Sequence, residues 1–227
     1  MRKHLTIILS TLISSASLGF ASVPPGTGNY ADLVSRREGG GRIDATTRLG
    51  SASGKYQFTY GTLKDLGFIE SGPNNVPPGA GEWAGVRWTG KGGVYSRQQF
   101  LNNEAAQDLA LGEFTQSNWN RIQSHVPVGT TVNGVQMTQG GALFAAHMLG
   151  NGGFNQWASC GFQASCLDEE QASANNMTKE QLQAHMMRRI AEGGGYDPSV
   201  IASSGGGALG GGTPVTPPPS IMLMPWT

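Results

Sequence analysis

Apolar residues recur at helical spacing in several separate segments of the chain. After Asn29, a residue type that commonly caps helices, Tyr30, Leu33 and Val34 fall on one helical face, which predicts a first helix. Comparable patterns predict four more helices: near 60–66, after Ser96, after Thr138 and after Thr178. No segment alternates convincingly between apolar and polar residues, as a half-buried strand does. The pattern therefore predicts a mainly α fold.

The predicted helices have recognisable starts and stops. Ser96 with Gln99, and Thr178 with Gln181, have the spacing of a capping box. Glycines are expected to end the helices, because glycine adopts the left-handed conformation that follows many helix ends. The expected stops are Gly39–Gly41, Gly67, Gly150 with Gly152 and Gly153, and Gly193. Between 69 and 95, prolines and glycines interrupt any periodicity, so a long loop is predicted there.

The N-terminal segment has the layout of a secretory signal peptide. Arg2 and Lys3 precede an uncharged apolar stretch, and small residues precede a cleavage position after Ala21. A membrane anchor is the alternative interpretation, but serines and threonines interrupt the stretch, and it is shorter than the roughly 20 residues of a typical span. The sequence therefore predicts export and removal of residues 1–21.

The C-terminal segment, 193–227, is rich in glycine and proline. No core can form from such a composition, so a flexible, disordered tail is predicted. The last residues, 221–227, are apolar again, and they either fray or form a tethered peptide that docks on a partner. The predicted organisation is a signal peptide at 1–21, one domain at 22–192 and this tail.

Composition and charge exclude several classes of protein. The 227 residues include 35 glycines, and 15 Lys and Arg balance 15 Asp and Glu. A chain without net charge is a poor candidate for a basic nucleic-acid binder or for disorder driven by charge. Cys160 and Cys166 are the only cysteines, and in an exported protein they favour a disulfide, with two free thiols as the alternative. No metal site is predicted, because no other ligand lies near them at suitable spacing.

Glu38 is the strongest candidate for a catalytic residue. It follows Val34 by four residues, so it lies near the apolar face at the end of the first helix. Partial desolvation is expected to raise the pKa of this carboxyl and to suit it to general acid catalysis. The alternative is an ion pair at the helix end with Arg36, Arg37 or Arg42.

The segment that follows offers polar and aromatic groups suited to sugars. The amide of Gln57 can both donate and accept hydrogen bonds, as sugar hydroxyls require. Tyr56 and Phe58 can present ring faces to a sugar, and Ser53 and Gly54 form a small-residue turn before them. The alternative is that the aromatic residues belong to the core and that Gln57 caps the next helix.

The order of these motifs resembles that of the lytic transglycosylases of the lysozyme-like superfamily. In that family a helix ends in a catalytic Glu, a Gly-x-x-Gln motif follows, and the next helix ends in Leu-Gly. This chain has Glu38 followed by Gly39, then Gly54-Lys55-Tyr56-Gln57, then Leu66 followed by Gly67. The resemblance implies a lysozyme-like domain.

The family's third motif, Ala-Tyr-Asn-Ala-Gly, has its best counterpart at 146–150. His147 stands where the family has Tyr, Met148 stands where it has Asn, and Asn151 follows the motif. In these departures the chain is similar to a divergent subfamily that accompanies secretion and conjugation machines.

The resemblance implies cleavage of the β-1,4 bond between N-acetylmuramic acid and N-acetylglucosamine in peptidoglycan, giving a 1,6-anhydro sugar. Glu38 would act first as acid and then as base, without a cofactor. The residues expected to bind the glycan are Ser53, Gly54, Tyr56, Gln57, Phe58, His147 and Asn151. The expected setting is the periplasm or the cell exterior, with peptidoglycan strands as partner. The tail would contact a secretion or conjugation machine, with no nucleic acid and no membrane anchor after signal cleavage.

Two other functions fit the same residues. A lysozyme-type hydrolase would need a second carboxylate, for which Asp44 is the nearest candidate. A non-catalytic glycan-binding scaffold would keep the cleft without the chemistry. Glu70 and Ser71 also spell the family's Glu-Ser pair, but no Gly-x-x-Gln follows them, so Glu70 ranks below Glu38.

Overall fold

The computed structural model describes residues 28–47, 50–72, 75, 83 and 85–199. Within these ranges the chain is mainly helical, with a few very short strands, so the predicted mainly α class is confirmed. The predicted signal peptide, much of the predicted long loop and the tail from residue 200 onward lie outside the described residues.

The helices begin where the sequence predicts caps. The side chains of Asn29, Ser96, Thr138 and Thr178 each accept a backbone N–H at a helix start. The capping box is complete only at Thr178, because Gln99 accepts from the backbone of Tyr95 instead. The helices are α1 Tyr30–Glu38, α2 Tyr60–Asp65, α3 Arg97–Leu101, α4 Glu104–Ile122, α5 Gln139–Ser159, α6 Glu169–Ala174 and α7 Lys179–Gly193.

Two helix boundaries differ from the prediction. The single helix predicted after Ser96 is broken, because Asn103 accepts from the backbone of Ala106 and starts α4 anew. The helix predicted after Thr138 does break at Gly150, as expected, but a second helical segment follows directly, so α5 runs on to Ser159 through Gly152 and Gly153. Gly150 has φ 71° and ψ 163°, a non-helical conformation that only glycine adopts readily, so it ends the first helical segment and redirects the chain into the second.

In the described part of the chain, the strands form three pairs with two residues in each strand, too short to leave an alternating pattern in the sequence. β2 Ala52–Ser53 pairs antiparallel with β3 Phe58–Thr59, and β4 Thr131–Val132 pairs antiparallel with β5 Val135–Gln136. β1 Gly28–Asn29 pairs in parallel with β6 Tyr196–Asp197. Because β6 lies beyond residue 193, the folded region continues past the predicted domain boundary.

Helix α5 is the centre of the core, packed between α4 and α7. A side-chain carbon at Gly140 would lie 2.3 Å from the carbonyl oxygen of Tyr196, and one at Gly141 would lie 2.4 Å from that of Ile190. These two glycines therefore let the start of α5 approach the end of α7 backbone to backbone. Beyond α5, Cys160 and Cys166 form the disulfide that the sequence favours.

Candidate active site

Glu38 is the last residue of α1, and its side chain is directed into the protein. Tyr30, Leu33 and Val34 on the same helix are buried in the core. Because Glu38 follows Val34 by about one helical turn, its side chain shares that face and is only 2% exposed. The predicted position, at the helix end and near the apolar face, is confirmed.

The Glu38 carboxylate pairs with an arginine that is distant in sequence. A terminal nitrogen of Arg189, on α7, donates to Oε1 of Glu38 at 2.5 Å, and the Arg189 side chain is 4% exposed. Nε of Arg189 donates to the carbonyl of Phe144 at 3.0 Å, and the guanidinium lies 3.8 Å from the centre of the Phe144 ring. The cation is therefore fixed by a carboxylate, a carbonyl and a ring face at once.

The arginines next to Glu38 in sequence have other partners. These partners are the hydroxyl of Tyr196 for Arg36, Glu192 for Arg37 and Asp44 for Arg42. An ion pair at Glu38 exists, but with α7 and not with its own helix or the following loop. Asp44 is 57% exposed and bound to Arg42, so it is an exposed loop acid in this structure.

The pKa of Glu38 is lowered. Burial is the largest single influence and raises the pKa of a carboxyl, but the charges of Arg189 and His147 and the hydrogen bond from Arg189 together outweigh it. The predicted rise in the pKa of Glu38 is therefore wrong. It follows from burial alone, whereas Arg189 on α7 stabilises the ionised carboxylate. Glu38 is an ionised carboxylate at neutral pH in this structure.

The Gly-x-x-Gln segment lies directly against the residue that follows Glu38. A side-chain carbon at Gly39 would lie 2.6 Å from the carbonyl oxygen of Lys55 and 2.7 Å from its Cα. Only glycine allows two backbones to approach this closely. The first two motifs, which are separated by a loop in the sequence, are therefore in contact in the fold.

Gln57 holds the turn of its own motif together. It is 3% exposed and has φ 54°, an uncommon conformation for a residue with a side chain. Its amide nitrogen donates to the carbonyls of Gly54 at 2.7 Å and of Ala45 at 3.0 Å. Thr59, not Gln57, caps α2. In this arrangement the amide hydrogens of Gln57 bind the backbone, where the sequence predicts a contact with sugar.

The other residues predicted from this segment are buried with partners inside the protein. The hydroxyl of Ser53 accepts from Nε of Arg97 at 2.8 Å, and the hydroxyl of Tyr56 donates to Asp108 at 2.5 Å. Phe58 is fully buried in a cluster of aromatic rings. A glycan touches none of these side chains without a rearrangement, so the predicted direct contacts are not available in this state.

The third motif reaches the same place from α5. His147 is 1% exposed, and its Nε2 lies 3.2 Å from the carbonyl oxygen of Tyr56. Burial lowers the pKa of His147, and the negative charge of Glu38 opposes that shift. Asn151 lies beyond the kink, half-buried, and its amide contacts that of Asn118 on α4 at 3.5 Å. His147 thus brings the third motif into contact with the Gly-x-x-Gln segment.

The remaining candidates lie elsewhere. Glu70 is bound to Arg87 at 2.7 Å, and both side chains are about half exposed. Two aromatic residues of the segment predicted as a long loop differ in exposure: Trp88 is buried in the core, whereas Tyr95 is 68% exposed. No cluster of three or more His, Cys, Asp or Glu suited to a metal ion occurs within the described ranges.

Sequence reasoning missed Arg189 and the residues that bind Lys55. A signal for Arg189 was present, because it falls three residues after Met186 and seven after Leu182, on the apolar face of α7. An arginine on such a face requires an acceptor inside the protein. Nothing local in the sequence identifies Glu38 as that acceptor, since 151 positions separate the two residues.

Comparison of the chain with known protein families, with curated proteins and with solved structures returns no match. Among the described helices, none combines the length and the hydropathy that a membrane span requires. The function proposed below therefore depends on the motifs and on the geometry in which they meet.

Proposed function

We propose that this protein is an exported peptidoglycan lytic transglycosylase with a lysozyme-like domain and with Glu38 as its catalytic acid and base. One observation carries the proposal. Three motifs that are separate in the sequence meet in the fold beside one buried carboxylate: Gly39, which directly follows Glu38, contacts the backbone of Lys55, and His147 contacts the carbonyl of Tyr56.

The chemistry needs one carboxyl group that changes its protonation state. Protonated Glu38 gives its proton to the glycosidic oxygen as the bond from that oxygen to the muramyl anomeric carbon breaks. The resulting carboxylate then takes the proton of the muramyl 6-hydroxyl as this oxygen bonds to the anomeric carbon. The proton returns to Glu38, the product is a 1,6-anhydro sugar, and no water is consumed. Asp44, exposed and bound to Arg42, gives no support for the two-carboxylate route of a hydrolase.

The structure corresponds to a closed state in this proposal. Glu38 is ionised and shielded from solvent, and the residues expected to bind glycan are engaged inside the protein. The site therefore has to open and Glu38 has to gain a proton before the first step. The burial of the ion pair also fits a purely structural role for Glu38 and Arg189, which is the arrangement expected in the second candidate function, a non-catalytic glycan-binding scaffold.

The test is digestion of purified peptidoglycan by the mature protein, followed by mass spectrometry of the muropeptides. We expect products that end in 1,6-anhydromuramic acid, one water lighter than hydrolysed ends. The Glu38→Gln variant should lose about 10²–10⁴-fold in rate, the usual contribution of general acid–base catalysis. Glu70→Gln is the matched control. Glu70 is followed by Ser71, as the catalytic Glu of the family is followed by Ser, but it forms an exposed ion pair with Arg87.

Three other outcomes would contradict the proposal, each in a different way. Hydrolysed ends would indicate a lysozyme-type enzyme and a second carboxylate. Binding to the sacculus without products would support the scaffold. Unchanged cleavage by Glu38→Gln would remove Glu38 from the catalytic role.

A further inference from the structure

Arg189 is held in its position on Glu38 by contacts that do not involve Glu38. Its Nε donates to the carbonyl of Phe144, and its guanidinium lies over the Phe144 ring, 3.8 Å from the ring centre. Both groups belong to the core helix α5, and the side chain of Arg189 is almost completely buried. The cation is therefore fixed to the protein frame at the place where the Glu38 carboxylate ends.

This geometry conflicts with the first step of the proposed reaction. A general acid must carry a proton when the substrate is bound. The Glu38 carboxylate accepts a 2.5 Å hydrogen bond from a buried guanidinium. This interaction stabilises the ionised form, so Glu38 does not bind a proton near neutral pH. The arrangement is suited to holding Glu38 in place and unsuited to using it as an acid.

We propose that Arg189 is a positioning residue that acts as a latch on Glu38, holding the carboxylate ionised and enclosed in the free protein and withdrawing from it before glycan cleavage. The inference rests on the proposed function, because it assigns Arg189 a role in the same site. Withdrawal leaves Glu38 buried without its cation, and a carboxyl in that environment favours its protonated form. The latch thus couples the charge of the catalytic residue to the presence of Arg189 beside it.

Other groups face Glu38 from each helix packed around it. Tyr30 lies on the same helix, His147 on α5 and His185 on α7. The two histidines have lowered pKa values, chiefly because of burial, so they are neutral near pH 7 and do not replace the charge of Arg189. Arg189 is therefore the group to change.

The experiment follows the Glu38 carboxyl directly by carbon-13 NMR in the full-length mature protein, with the signal assigned by comparison with Glu38→Gln. In the wild type we expect Glu38 to titrate below the ordinary value of about 4.3 for glutamate. In Arg189→Gln its pKa should rise by about 1–3 units, the usual effect of one adjacent opposite charge. Arg188→Gln, an exposed neighbour on the same helix, should leave it nearly unchanged.

Arg189→Lys separates the charge from the shape of the guanidinium. It keeps a cation but not the planar contact with Phe144, so the pKa of Glu38 should stay low even if the variant is less stable. In Arg189→Gln, the alkaline limb of the kcat/KM profile should move to higher pH. The displacement should equal the rise in the pKa of Glu38. A merely structural role would lower the rate at every pH without moving that limb.

The outcomes separate this inference from the proposed function. If wild-type Glu38 titrates at or above the ordinary glutamate value, the latch is wrong whatever the variants do. An equal Glu38 pKa in the wild type and Arg189→Gln would also overturn it. If the titrations behave as expected but no pH yields anhydro products, the proposed function fails while the ion-pair control of Glu38 stands.

Discussion

The protein contains two charged clusters, on opposite sides of one backbone contact, that differ in burial. In the first, Glu38 and Arg189 are 2% and 4% exposed. In the second, Lys55 binds Glu104 at 2.6 Å and Asp108 at 2.8 Å, with the carboxylates 66% and 30% exposed. The clusters use the same kinds of groups at similar distances, so contact geometry alone does not distinguish them.

The environment decides what each cluster can do. Burial lowers the pKa of Lys55, but hydrogen bonds to Asp108 and Glu104 more than offset this, and the lysine stays charged with water at hand to solvate its partners. Water does not reach the Glu38–Arg189 pair in this way. Removing either partner therefore leaves an unpaired charge inside the protein. A buried pair is therefore a place where a small displacement changes protonation, whereas the Lys55 cluster is a tether for the Gly-x-x-Gln segment.

The largest expected difference is in stability after truncation of one acid from each cluster. Glu38→Ala leaves Arg189 buried without its carboxylate and should lower the free energy of unfolding by about 3–5 kcal/mol. Glu104→Ala removes a largely exposed partner while Asp108 remains on Lys55, and should cost about 0–1 kcal/mol. Urea denaturation of both variants at pH 7 measures the difference. Equal losses would mean that the described burial does not control these charges.

The contact that joins the clusters gives a smaller effect. Alanine at Gly39 would place its Cβ 2.6 Å from the Lys55 carbonyl, so the two backbones must separate. We expect a loss of about 1–3 kcal/mol, as in other overpacked sites. Peptidoglycan cleavage should fall by about 10²-fold, because a displacement near 1 Å is enough to misalign reacting groups.

Gly61→Ala is the matched control for this substitution. Gly61 lies inside α2, and the nearest atom to an added Cβ is 4.0 Å away. Alanine there should be neutral or slightly stabilising, since it limits the unfolded chain without a clash. Equal behaviour of the two variants would show that the Gly39–Lys55 approach does not matter for either cluster.

The fold was predictable where one local signal decides the structure. Asn29, Thr138 and Thr178 were recognisable as caps because each needs only a side-chain oxygen beside free N–H groups. Gly150 shows the limit of such reasoning. Glycine is compatible with both a helix end and a kink, and the choice depends on whether residues beyond it, here Phe154 and Trp157, find a core to pack against. That information is not local.

The candidate site shows the same division. The position of Glu38 on an apolar face followed from helical spacing, but its charge state did not, because this depends on Arg189 in a helix near the other end of the domain. Gln57 was recognised as important, yet its φ of 54° and its bonds to the Gly54 and Ala45 carbonyls belong to the folded turn. Sequence pattern identified the participants, and tertiary structure determined their partners.

The smallest expected difference between the clusters is in how pH changes the stability of the protein. Beside the Glu38–Arg189 pair, the group that responds is His185 on α7. Burial, followed by the charges of Arg189, Arg188 and Arg37, lowers the pKa of His185 to about 4. An unfolded histidine takes up its proton near pH 6.5, so between about 6.5 and 4 the unfolded chain binds more protons than the folded one. Stability should therefore fall as the pH drops through this window. Lys55 affects stability only in the alkaline range. Because its pKa is raised, the stability that it contributes is lost as the pH rises through that pKa.

Urea denaturation of the wild type and of His185→Gln at several pH values between 7.5 and 4 tests this expectation. His185→Gln should flatten the decline, although His147, whose pKa is also lowered by burial, keeps part of it. If the decline were as steep in His185→Gln as in the wild type, the acid sensitivity would belong to other groups, and the buried cluster would not be the region of the molecule that responds to protons.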